Sequence, residues 1–205
     1  MNLRVFTNED AWNGGSYELA LELGPVNDQL LQRALAAVWS FPDLEGCFLR
    51  MDIEPRDQRR ITISDPSLEL NACLRGIAAF LPGGLVACST IPVREEEGAD
   101  WLYFGLPLGS LARLLPVGAF PFDDGGDLRW RGGLDSWLER LARHVYNSVK
   151  FRLGLVGWTD GLSDSASSLT MTGVPAERWV GYLLPEGDAL RWHPPNQRAP
   201  MTAGG

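Results

Sequence analysis

The sequence predicts an α+β fold: a mixed, mainly antiparallel sheet packed with about three to four helices. Three observations carry that expectation. Tyr17, Leu19, Leu21 and Leu23 alternate with Glu18, Ala20 and Glu22, the period of a strand with one wet face. Leu134, Trp137, Leu138, Leu141, Val145 and Val149 recur on one side of a helical wheel, with Ser136, Glu139, Arg140, Arg143 and Asn147 on the other. That helix runs directly into Phe151–Trp158, whose alternate positions are apolar on both faces, as in a strand covered on both sides. Ser136 with Glu139 has capping-box spacing, which places the helix start beside Asp135.

In chain order, Trp12-Asn-Gly-Gly15 signals a turn before the first strand, and Gly24-Pro25 ends it. Asn27 or Asp28 then caps a helix carrying Leu30, Leu31, Ala34, Leu35 and Val38, which stops at Phe41-Pro42. Leu49, Met51 and Ile53 alternate with Arg50, Asp52 and Glu54, so they read as a half-buried strand with Arg60–Ile63 as its hairpin partner. Asp65-Pro66 reads as the N-cap and first residue of a helix that turns Leu70, Leu74, Ile77, Ala78 and Leu81 inward. Leu85–Val93 follows as a strand. Residues 16–93 therefore spell β-α-β-β-α-β, an order that resembles a ferredoxin-like sandwich.

After an acidic connector, Arg94–Asp100, the second half opens with a strand at Trp101–Leu106 and a short helix at Ser110–Leu115. A Gly- and Asp-rich loop spans 116–132. Beyond Trp158 the stretch Thr159–Thr172 is polar and aperiodic, and Arg178–Leu184 with Ala189–His193 form a hairpin around Pro185–Asp188. The chain is read as one compact unit, 1–193, built of halves 16–94 and 101–193, with a disordered tail from 194 to 205.

Eighteen Lys plus Arg against 26 Asp plus Glu give a net charge of -8, which repels phosphate backbones and anionic membranes. Nucleic acid and membrane are excluded as first partners. Cys47, Cys73 and Cys88 are odd in number and lie in apolar segments, so buried reduced thiols are expected. The first ten residues lack the apolar core of a signal peptide, and the expected compartment is the cytoplasm.

The motifs of familiar chemistries do not occur. The sole lysine, Lys150, follows Val149, so there is no Walker loop, and no G-x-G-x-x-G opens a helix. Two histidines, His144 and His193, and no C-x-x-C leave zinc without ligands; no metal and no cofactor is expected. Asp123, Asp124 and Asp127 crowd one tight turn without the glutamate that completes a calcium loop, and read as a solvated acidic loop. Asp160, Ser163 and Asp164 stand in the loop after the buried strand, where a rigid scaffold commonly carries a site. A serine nucleophile there, Ser163 or Ser165, needs a base such as His144, and the G-x-S-x-G elbow is missing.

Eight tryptophans are many for 205 residues, and three adjoin arginine: Trp130, Trp179 and Trp192. Each reads first as a core residue, with Trp130 the one best placed for an interface because its surroundings are loop-like. The functional expectation is a non-catalytic acidic protein-binding module, of which an inhibitor or immunity-type protein acting on a basic partner is one concrete form. Its candidate binding residues are Asp123, Asp124, Asp127, Trp130, Asp160, Ser163 and Asp164. The alternative is a hydrolase or small-ligand enzyme using the Asp160–Ser165 loop.

Overall fold

The computed structural model describes residues 4–63, 72–81, 84–95, 98–117, 129–159 and 164–196. Eight strands form one antiparallel sheet: β1 (Ser16–Pro25), β2 (Leu44–Phe48), β3 (Leu74–Leu81), β4 (Gly84–Arg94), β5 (Ala99–Pro107), β6 (Leu153–Gly157), β7 (Gly181–Glu186) and β8 (Ala189–His193), in the order β2-β3-β4-β5-β1-β6-β7-β8. Among the described residues four α-helices accompany it: α1 (Asp28–Trp39), α2 (Leu108–Leu111), α3 (Trp130–Ser148) and α4 (Ala166–Thr172). β4 and β5, on either side of the acidic connector, pair with each other, and β1 lies between β5 and β6, so strands of both halves share one sheet.

The path explains the layering. Helix α1 carries the chain from β1 to the far edge strand β2, and α3 carries it from β5 across β1 to β6. β1 and β5 are antiparallel and the two crossovers leave in opposite directions, so crossovers of one hand put both helices on the same face. The main core forms there, between Leu19, Leu21, Leu102, Phe104 and Leu106 of the sheet and Leu31, Ala34 and Val38 of α1. Leu134, Leu138, Leu141 and Val145 of α3 complete it, each with no exposed surface, which is the face the wheel assigns.

Several elements differ from expectation. β1 has no wet face: Ala20 and Glu22 are buried, because it is a central strand whose second face is covered by α4 and the chain around it. The alternation at Leu49, Met51 and Ile53 is not a strand; Leu49 and Met51 are exposed, and the edge strand is β2, just upstream. Arg60–Ile63 is not its strand partner, although the Ile61 N–H donates to the Cys47 carbonyl at 2.8 Å. Where a helix was expected to run to Leu81, residues 74–81 are strand β3, so the described residues of the first half read β-α-β-β-β and match the ferredoxin-like order only in part; Asp65, Pro66 and Leu70 lie outside the described residues. Helix α2 ends at Leu111 rather than running to Leu115.

Helix α3 starts at Trp130, one turn before Asp135, and the Ser136 hydroxyl donates back to the Gly132 carbonyl at 2.8 Å instead of capping. The aperiodic stretch holds α4, closed by a capping box in which Ser165 and Ser168 bond each other's backbone N–H. The start of the expected tail is tied down as well: Arg178 N–H donates to Asn196 Oδ1 at 2.8 Å, and Asn196 N–H to the Arg178 carbonyl at 2.9 Å. No helix among the described residues is long and apolar enough to cross a membrane.

Trp39 and Trp192 pack against glycines. A Cβ on Gly46 or Gly76 would come within 2.3 Å of the Trp39 ring, and one on Gly181 within 1.9 Å of Trp192. Indoles thus lie against bare backbone on neighbouring strands, and the Trp39 Nε1–H reaches Thr90 Oγ1 at 3.1 Å inside the core. Cys47 and Cys88 are buried free thiols and Cys73 is a half-buried one. Burial pushes the Cys47 thiol up to about 12, with a smaller opposing pull from Arg60, so it stays protonated at neutral pH.

Candidate functional site

Of the sequence-predicted residues, Asp123, Asp124, Asp127, Asp160 and Ser163 lie outside the described residues. Trp130 is the first residue of α3, not part of a loop, and its ring meets Tyr17 edge-on at 5.4 Å between centroids. At 8% exposure it is a core residue with little surface left to offer a partner. Asp164 accepts a hydrogen bond from the Tyr182 hydroxyl at 2.6 Å, which ties the chain before α4 to β7. Burial, and then the Asp164 carboxylate, push the Tyr182 phenol up.

A buried polar cluster holds the first turns of α3 against β1. The Arg131 Nε donates to the Tyr17 hydroxyl at 2.9 Å, and that hydroxyl donates to Asp135 Oδ1 at 2.5 Å. Arg131 Nη2 reaches the Trp179 carbonyl at 2.7 Å, and its guanidinium lies 4.2 Å from the Trp179 ring centroid. Tyr17, Arg131 and Asp135 are all buried. Burial drives the Asp135 carboxyl up to about 6 against the pull of the Tyr17 hydrogen bond and the Arg131 charge. A raised carboxyl beside a tyrosine has the makings of an acid–base pair, but Tyr17 has no exposed surface through which a substrate could reach it. The cluster locks the start of α3 to β1 and to the chain entering β7.

A serine-based site does not assemble among the described residues. Ser165 is spent as the α4 N-cap on the second face of the sheet. His144 sits on α3 over the first face, 3.0 Å from Ser40 Oγ and edge-on to Phe41. Buried carboxylates elsewhere have structural partners. Glu22 accepts the Ala166 N–H at 2.6 Å and pairs with Arg152 at 3.3 Å. Glu54 accepts the N–H groups of Val5, Phe6 and Thr7, and these bonds outweigh burial and hold its carboxyl below the usual range.

Among the described residues, the second face of the sheet is covered in two places, with exposed side chains between them. Residues 164–180 cover Ala20, Trp101, Leu153, Leu155 and Tyr182; the chain at Val5, Phe6 and Trp12 covers Ile77 and Ala87. Between the covers, β4 presents Ile91 at 39% and Val93 at 37% exposure. Their cross-strand partners on β5 are Tyr103 and Trp101, whose rings stack at 6.0 Å. After this apolar strip, β4 ends at Arg94 and β5 starts at Ala99, and Glu95, Glu96 and Glu97 follow β4 in sequence. The strand ends that flank this stretch are tied together. Arg94 bonds Asp100 through both Nε and Nη2, at 2.7 and 2.9 Å, and reaches Asp28 at 2.8 Å, while the Asn27 N–H donates to Asp100 at 2.8 Å. The Arg94 hydrogen bonds hold the Asp100 carboxyl below its usual range against the effect of burial.

Sequence reasoning found the strand and the acidic connector but missed the strip, because alternation does not tell which apolar face of a two-faced strand stays uncovered. Comparison of the chain with protein-family models, with curated proteins and with solved structures found no match. The class that fold and site define is therefore a structural one: an α+β protein whose described residues form a single eight-stranded antiparallel sheet, with α1 and α3 on one face and α4 covering part of the second.

Proposed function

We propose that this chain is a non-catalytic protein-binding module that docks a basic protein on the open strip of β4 and β5, in the manner of an inhibitor or immunity-type protein. The observation that carries this reading is the exposure of Ile91 and Val93 beside Tyr103, on a strand that leads in sequence into Glu95-Glu96-Glu97. Exposed β-branched side chains beside an aromatic supply the apolar centre of an interface, and a charged rim supplies steering and selectivity. A net charge of -8 and a pI near 4.8 favour a cationic partner and disfavour a second copy, whose own acidic turn would be repelled. A stable interface takes about 800 Å² from each side, so the strip is its centre and the flanking turn and covers are its rim.

The test compares partner capture by the native chain, by Ile91→Asp/Val93→Asp, and by Glu95→Lys/Glu96→Lys/Glu97→Lys. The expected result is a stoichiometric basic protein held by the native chain and lost from both variants, with all three folded by circular dichroism. Capture indifferent to both sets of substitutions overturns the proposal. A homodimer that Ile91→Asp dissociates would replace the basic partner with a second copy.

A further inference from the structure

We infer that the cavity between residues 174–178 and the β7–β8 hairpin binds a small organic carboxylate, a single negative charge carried on an apolar body. The cavity has a volume of about 440 Å³, within the range of small-ligand sites, and lies apart from the proposed docking strip. Val174 and Leu184 contribute apolar wall, and Arg178, Arg191, His193 and Glu186 contribute the polar part. Two guanidinium groups against one carboxylate leave one positive charge over, in a protein whose net charge is strongly negative.

The cationic side is held in place before any ligand arrives. Arg178 donates from Nε to the Pro194 carbonyl at 2.7 Å and from Nη1 to the Pro175 and Ala176 carbonyls at 3.1 and 3.3 Å. Its Nη2 carries no hydrogen bond among the described residues, so its charge and two N–H groups stay available. Arg191 is held across the hairpin by Glu186 at 2.9 Å, a pair exposed enough to open at little cost. His193 stands opposite Tyr182 on β7. Burial and then the charges of Arg191 and Arg178 lower the pKa of its imidazole, with Glu186 opposing. A planar carboxylate matches the fork of a guanidinium, and the apolar wall takes the body that carries it.

The experiment uses the chain's two histidines as reporters, followed by NMR at constant ionic strength during titration with benzoate and, separately, with inorganic phosphate. Benzoate is expected to shift the His193 ring resonances saturably and raise the His193 pKa, since a bound carboxylate offsets the two guanidinium charges. His144, hydrogen-bonded to Ser40 on the other face of the sheet, should not move. Arg191→Gln should weaken benzoate binding at least about tenfold, the scale of one charge-assisted hydrogen bond, and Glu186→Gln should tighten it. Both side chains are exposed, so both variants keep the fold. The inference is overturned if benzoate gives no saturable shift at His193, if His144 moves in parallel, or if Arg191→Gln binds as the native chain does. Phosphate binding more tightly than benzoate overturns the assignment to a carboxylate.

Discussion

Asp135 carries the clearest single-residue consequence of burial. Its folded-state pKa of about 6 lies above the ordinary 3.8, so between those values the folded chain holds a proton that the unfolded chain has released. Its contribution to stability therefore falls as pH rises through that window, and reaches a cost on the order of 2–3 kcal/mol above it. Asp100 and Glu54 act with the opposite sign, since their depressed values contribute stability that is lost as pH falls below about 4 to 5. Comparing the native chain with Asp135→Asn isolates the first effect. In urea unfolding from pH 4 to pH 7, the variant should gain on the native chain as pH rises; a constant difference would mean that Asp135 ionises normally. Tyr17→Phe removes the hydroxyl that bridges Asp135 and Arg131, and should cost about 1–3 kcal/mol in the same measurement because two buried groups lose a partner.

Helix α3 and strands β2 and β3 carry predictions at the scale of elements. Leu141 is fully buried between α3 and the sheet, so Leu141→Ala should lower stability by about 2–5 kcal/mol, while the exposed face of the same helix should tolerate substitution within about 0.5 kcal/mol. Equal costs on both faces would contradict the packing of α3. On the strands, Gly76→Ala places a methyl within 2.3 Å of the Trp39 ring and 2.5 Å of the Glu45 carbonyl oxygen. Neither neighbour is a flexible chain end, and the expected loss is about 1–3 kcal/mol, read as a lowered melting temperature. Recovery of part of that loss in the Gly76→Ala/Trp39→Phe double variant would tie the cost to the indole.

For the whole molecule, charge and exposed apolar surface make separable contributions to the proposed docking. Attraction between the acidic turn and a cationic partner acts during encounter, and screening shortens its reach from about 10 Å at 0.1 M salt to about 3 Å at 1 M. Salt and charge reversal at Glu95–Glu97 should slow association, whereas Ile91→Asp should chiefly speed dissociation. Stopped-flow kinetics at two ionic strengths checks both, and association insensitive to salt and to charge reversal would remove the acidic turn from the mechanism. Charge reversal at Asp123, Asp124 and Asp127 tests the other acidic loop in the same assay.

By itself the sequence determined those elements whose pattern is local. Helix α1 with its Asn27 cap, the inward face of α3, the two-sided burial of β6 and the β7–β8 hairpin all follow from apolar period and turn residues. Only tertiary structure decided the rest, because it depends on which neighbour a segment meets. Leu74–Leu81 has apolar residues spaced for a helix, yet pairing with β2 and β4 satisfies its backbone as a strand and leaves Gly76 room for the Trp39 ring. Glu22 alternates like a solvent-facing residue and is buried because α4 offers it a free N–H and Arg152 a charge. Trp130 sits beside a loop in sequence and inside the core in space, since Tyr17 comes from 113 positions away along the chain to meet it. The open strip at Ile91 and Val93 and the cationic cavity at His193 belong to the same class: both are set by what two distant covering segments reach and what they leave bare, a property that no local period encodes.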